Sequence, residues 1–519
     1  NKTCRHPYSP RRPRRPPSHP PPPTHRSIAF SHPRQPRRLT APLWIHPPHS
    51  QAPAWSPGAK KSGGDSKFVE LLKYKTLRVG MKVLGVVTEV NDRGLTVSLP
   101  NGLKGTVTRA EASDVLAPVA KRKGGKKDAG DESESESESE SEEEETDQEL
   151  DLTSMFRVGQ ILRCKVRNVG KGKSGGKRID LATRLSQVCG NISGHSLHDG
   201  MAVPACVNSV EDHGYVLSFG CQEDPTGFLP RKSCPQSLAD VLVRGSILDV
   251  VLSGGDEGSG GKRARSKGSG GVMQCTADPK RVAQAVTHEG DGAAMSTLLP
   301  GMLVNARVKA VLPDGLQMNF MTYFQATVDA FHVGGGVHGA AADPAAAHKV
   351  GERLRARVLY VDANSKNVGL TLRPHLVSAP DTQSGPAKRA VDSMPKPGTV
   401  YEQALVRRVD SGIGVLLELR ESEDEDGAHP AFGYCHISDA ADEHTDKLEK
   451  RFKVGKKVRA RVIGSRAMDG VATVSCKATV LDQPFLSLEE LEPGMHVRGE
   501  VVAVEPYGAV VKLAPGVKA

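Results

Sequence analysis

The chain runs to 519 residues, 25% of them charged and only 4% aromatic, with a formal net charge of +10. That length suggests three or four domains, cored by Val, Leu and Ala rather than by large rings. No run of about 18 apolar residues is present to span a membrane as a helix. The nine cysteines form no Cys-x-x-Cys pair, which argues against a zinc ribbon or a disulfide framework and for a reducing compartment.

Residues 1–60 hold 11 Lys and Arg and no acid, leaving 59 basic against 60 acidic groups in the rest. This Pro/Arg-rich opening, taken to residue 74, has no usable apolar face and is expected to be disordered. Its Arg-rich, acid-poor composition overlaps that of an organelle transit peptide. With Asn1 rather than Met at the start, it carries no functional assignment.

From Leu77 the chain reads LRVGMKVLGVVTEVNDRGLTVSL. Similar lines begin at Ser196, Leu298, Pro395 and Leu491. Each places one glycine before an alternating apolar ladder and a second 14 residues later, as in Gly80 and Gly94, Gly301 and Gly315, or Gly494 and Gly508. A fixed internal period marks a repeat architecture. The ladders have period two and are rich in β-branched residues, so each line is a strand, a glycine turn and a strand. Further ladders start at Phe156, Val241, His348 and Phe452, each followed by one more short strand. Five strands and almost no amphipathic helix predict an all-β chain of small closed antiparallel barrels, which leave no sheet edge open. The predicted boundaries are 75–186, interrupted by an insertion at 117–152, then 196–280, 298–374, a linker at 375–394, 395–481, and a truncated fifth unit at 491–519.

Inside the first unit a basic cluster, Lys121, Arg122, Lys123, Lys126 and Lys127, precedes an acidic Ser/Glu tract holding 13 acids between Asp131 and Asp151. The cluster fits a nuclear-import signal, and the serines fit an acidophilic kinase; a solvated loop is the simpler reading. Smaller Gly/Ser/Lys stretches carry Lys177 and Arg178 in the first unit and Lys262, Arg263 and Arg265 in the second. These basic loops are candidates for tracking a phosphate backbone.

The paired ladders, and the phrase GYCHISD from Gly433, resemble the S-one RNA-binding repeat, an OB-fold barrel. The likeness covers roughly residues 75 to 519. An array of this kind with an acidic insertion in its first unit is similar to the repeat-bearing ribosomal-RNA-processing proteins of the small-subunit processome, and the chain reads as an amino-terminal fragment of one. The resemblance implies single-stranded precursor ribosomal RNA and processome proteins as partners, and a nucleolar location. It implies no catalysis, cofactor, metal, membrane or small-molecule substrate. OB barrels bind single strands by stacking bases on exposed rings while rim cations neutralise phosphates. Carried over position by position, the family's RNA face falls on His213, Tyr215 and Phe228 in the second unit, and on Asp362 and Lys366 in the third. In the fourth it falls on Tyr434 and His436, and in the fifth on Tyr507. Tyr215, Phe228, Tyr434 and His436 are expected to be exposed, whereas Phe320, Phe324 and Phe331 are expected to fill cores. No unit has the full set: the first has Arg93, Thr106 and Thr108 at these places, and the second has Pro230 in place of histidine.

Enzyme motifs fail on spacing. In GKGKSGGKR the phosphate-loop register breaks, because Gly176 and Lys177 are followed by Arg178 and the position five before Gly176 is Lys171. GGGVHGAA from Gly334 lacks the βαβ context of a dinucleotide loop. A translation-associated or organelle RNA binder, and a protein-binding scaffold, stay open as alternatives.

Overall fold

The computed structural model describes residues 69, 71–117, 151–171, 176–223, 225–253, 272–287, 294–334, 347–378, 394–420, 431–443, 447–486, 490–491, 493–506, 508–514 and 517–519. The import cluster Lys121 to Lys127, the acidic tract short of its last residue Asp151, the loop cations Lys262, Arg263 and Arg265, and Tyr507 lie outside the described residues.

The first barrel is built from β1 (Lys82–Asn91), β2 (Gly94–Ser98), β3 (Lys104–Thr108), β4 (Ile161–Lys171) and β5 (Lys177–Ala182). The second comprises β6 (Ala202–Glu211), β7 (Gly214–Ser218), β8 (Gly227–Pro230), β9 (Ile247–Leu252) and β10 (Met273–Thr276). The third has β11 (Leu303–Leu312), β12 (Gly315–Phe320), β13 (Phe324–Asp329), β14 (Arg353–Asp362) and β15 (Asn367–Thr371). The fourth has β16 (Val400–Asp410), β17 (Gly414–Leu419), β18 (Ala431–His436), β19 (Lys457–Arg466) and β20 (Val471–Ser475). In every one the fifth strand pairs parallel to the third and the first pairs with the fourth, which closes the ring. β21 (Glu500–Glu505), β22 (Gly508–Ala514) and β23 (Val517–Lys518) make a three-stranded sheet.

The repeated line has a local cause. In each copy the first strand carries a register shift after a valine, at Val87, Val207, Val308, Val406 and Val501. A bulge sharpens twist and lets so short a sheet curl onto itself. The leading glycine turns the chain into that strand, as at Gly80 with φ +89°, a conformation only glycine adopts freely. In the first three copies the second glycine lets two backbones meet, a Cβ on Gly315 falling 2.0 Å from the Val328 carbonyl oxygen; in the fourth, Gly412 only turns the chain with φ +68° and Gly414 makes the close approach.

The barrels are not independent beads. β1 also pairs with β14, matching Lys82 with Val361 and Val83 with Tyr360, so barrels one and three share a ten-stranded sheet. One continuous apolar core runs through barrels one, two and three, while the fourth has a core of its own. The fourth is nonetheless anchored. Ala467 and Met468, in the turn between β19 and β20, are buried in the core of the first three. Arg163 of β4 ties the first three together: its guanidinium pairs with Asp249 of β9, and its Nε donates to the Pro300 carbonyl at 2.8 Å.

Phe320 is buried as expected, and Phe324 stacks on it at 5.2 Å while half-buried. Phe331 departs from expectation. It packs with Leu416, Phe432, Tyr434 and Val471 between barrels three and four rather than inside barrel three.

Candidate nucleic-acid interface

Two of the four rings expected to face solvent are buried. Tyr215 alternates inward with Leu217, and its hydroxyl donates to the Ala239 carbonyl at 3.0 Å. Burial pushes its phenol up, and the Arg231 guanidinium covers the ring at 5.6 Å. Tyr434 sits on the outward face of β18, as the resemblance implies, but barrel three covers that face. Phe331 meets its ring edge-on at 4.9 Å, and its hydroxyl donates to Asp410 Oδ2 at 3.0 Å. The expectation of an exposed stacking ring is therefore corrected at both positions. Burial pushes the Tyr434 phenol well up, with Asp410 adding to it.

Asp362 is also corrected. It is buried at the turn between β14 and β15, where it accepts from the Asn364 N–H at 3.0 Å and the Ser365 hydroxyl at 2.6 Å. That is the self-capping turn that Asp favours. Lys366 in the same turn is exposed, with φ +56°. His213 is exposed in the turn between β6 and β7, and Phe228 is half-buried, its ring edge lying over Gly214.

His436 is exposed, and its Nδ1 accepts from the Ser438 N–H at 3.2 Å, capping the short turn Ile437–Asp439. Partial burial depresses its imidazole, and the nearby charges of Arg466 and Lys177 depress it further against Asp439. A barrel-one lysine thus acts on a barrel-four histidine.

The chain path explains this. The β19–β20 turn of barrel four inserts beside the β2–β3 turn of barrel one. The Asn101 N–H donates to Asp469 Oδ1 at 2.8 Å, and the Met468 N–H to Ser98 Oγ at 3.4 Å. Barrel three completes the junction: Asn101 Nδ2 donates to Asp329 Oδ2 at 3.3 Å, and His332 Nε2 lies 3.3 Å from Asp469 Oδ1. Behind them Arg373 is held down to about 10 by burial, against the charges of Asp469 and Asp329. Sequence reasoning missed this cluster, because each residue reads alone as a turn or surface polar group.

His375 lies against the same turn and is pushed down to about 3, first by burial and then by Arg373 and His332. Its Nε2 is buried with no hydrogen-bond partner among the described residues. Its folded value lies below the ordinary 6.5, so the unfolded chain takes up a proton first as pH falls. Stability is complete above about pH 6.5 and is lost toward pH 3, at about 1.4 kcal/mol per pH unit. Melting at pH 7, 6 and 5 should show this slope, and His375→Gln should flatten it; an equal slope in both proteins would refute the assignment.

Every described cysteine is a free thiol, and all but Cys221 are buried. Among the described residues no His, Cys, Asp and Glu cluster with metal-holding geometry occurs, and no helix is long and apolar enough to cross a membrane. Lys104 of β3 and Lys177 and Arg178 of β5 are exposed on barrel one, and the half-buried Arg466 of barrel four lies against Gly102, two residues ahead of Lys104.

Residues 390–486 match the family described as the RRP5 OB-fold domain. The rRNA biogenesis protein RRP5 of Arabidopsis thaliana is 32% identical over 464 residues, covering 89% of this chain and 21% of that protein. The RRP5 homolog of Homo sapiens is 28% identical, covering 86% and 21%. A solved a/eIF2alpha–aDim2p–rRNA complex from Pyrococcus horikoshii matches over 17% of this chain and 47% of that one, with 30% identity and a TM-score of 0.14.

Proposed function

Taking as premise that the chain is a homologue of the rRNA biogenesis protein RRP5, spanning about a fifth of the length of the relatives it matches, we propose that it binds single-stranded precursor ribosomal RNA. In this reading it works in the nucleolus, supporting early cleavage and small-subunit assembly alongside processome proteins, and it holds RNA without cutting it. The observation that carries this is the alignment to the Arabidopsis rRNA biogenesis protein along nearly nine-tenths of the chain. The barrel fold and its exposed cations supply a surface suited to a flexible polyanion.

Crosslinking in cells, followed by sequencing of the attached RNA, tests it. Reads concentrated in the spacers and small-subunit region of precursor ribosomal RNA are expected. Reads spread over messenger or organelle RNA, or none above background, would overturn the reading.

A further inference from the structure

We propose that the seam where barrel four docks on barrel one is a single composite site for the phosphate backbone of one RNA strand, lined by Lys104, Lys171, Lys177 and Arg178 from barrel one and Arg466 from barrel four. It rests on the RNA-binding reading above and assigns that reading a place.

The register gathers these groups. β3 and β5 run parallel with Thr106 opposite Asp180, so Lys104 lies level with Arg178, and Gly102 level with Gly176. β4 and β5 are antiparallel with Lys171 directly opposite Lys177. The four cations of barrel one therefore fall at one end of it. Arg466, the last residue of β19, brings barrel four to that end: its guanidinium lies 2.7 Å from where a Gly102 Cβ would stand, and 4.7 Å from the Tyr434 ring centroid.

Two features mark this end as built for an anion. Like charges placed directly opposite on neighbouring strands repel and destabilise a sheet, yet Lys171 and Lys177 are so placed, and both are exposed. Carboxylates are also too few. Asp180 takes Arg178 at 2.6 Å and Asp439 takes Lys477 at 3.9 Å, while Lys104, Lys177 and Arg466 have no carboxylate partner among the described residues. Lys177 is steadied over the Tyr74 ring at 5.5 Å, which orders the ammonium without neutralising it. The rings here lie beneath cations, so the seam reads charge rather than bases. A binding surface of that kind tolerates any sequence and weakens steeply with salt.

Fluorescence anisotropy on the full chain with an unstructured oligouridine of about 20 nucleotides tests the seam. Lys104→Glu with Lys177→Glu should weaken binding about tenfold or more. It should also flatten the log–log salt slope by about 1.4, at roughly 0.7 for each phosphate no longer neutralised. The same charge change on exposed lysines of barrel two, Lys232→Glu with Lys280→Glu, should cost less than about threefold. Arg466→Gln, with melting unchanged, should weaken binding about fivefold. A seam variant no worse than the barrel-two control would overturn the site and leave the RNA reading standing. An inert Arg466→Gln in a folded protein would overturn its composite nature, and a wild-type chain with no affinity for the oligonucleotide would overturn both.

Discussion

Replacing Asp469 with alanine is expected to cost about 3–5 kcal/mol, the range for breaking a buried ionic contact from one side. The Asp469 side chain is fully buried. It accepts the Asn101 N–H, approaches His332, and opposes the buried charge of Arg373. Its loss leaves a backbone donor and a guanidinium in a site that water does not reach. Asp469→Asn keeps an acceptor for Asn101 and should recover a part of the loss. Hydrogen exchange followed residue by residue is the appropriate measurement, because a chain of several barrels need not unfold in one step. Faster exchange around Ser98–Gly102 in barrel one and Asp329–Val333 in barrel three, and not only in barrel four, is the expected pattern. Protection unchanged outside barrel four would show that the junction does not couple the barrels.

Tyr434→Ala is expected to cost a similar 3–5 kcal/mol, as other large buried aromatic deletions do. The ring fills the space between Phe331, Arg466 and Asp410, and alanine would leave a cavity at the interface of barrels three and four. A double-mutant cycle with Phe331→Ala should return a coupling of about 0.5–1.5 kcal/mol for the edge-on pair. Additive losses would place the two rings in separate environments and sink the shared cluster.

Much of the architecture is legible in the sequence because its causes are local. A positive φ at Gly80 and a backbone crossing at Gly315 admit no other residue easily, so the glycine period survives where the ladders between them drift. The valine before each bulge and the inward alternation of the strands are likewise read from a few neighbours. What fails to read is how one barrel lies on another. Tyr434 has the parity of an outward ring, and it is hidden by Phe331, about a hundred residues earlier, and by Arg466 from the far end of the same barrel's β19. Asp469 and Gly470 have the composition of a solvent-facing turn, and their docking partner is Asn101, 368 residues away. Asp362 shows the opposite lesson: its turn chemistry was visible in VDANSKN and outweighed the family position assigned to it.

The contact between Asn101 and Asp469 also sets a schedule for the ribosome that makes this chain. At roughly 5–20 residues per second, the 368 residues separating the two take roughly 20 to 70 seconds to emerge, and the β14 strand that pairs with β1 is likewise late. Once β5 has closed barrel one, its receiving surface stands finished but without its barrel-four cover for the rest of that interval. A nascent chain halted before the β19–β20 turn would therefore carry a barrel that is closed yet unprotected, and the array matures as one piece only when its fourth member arrives.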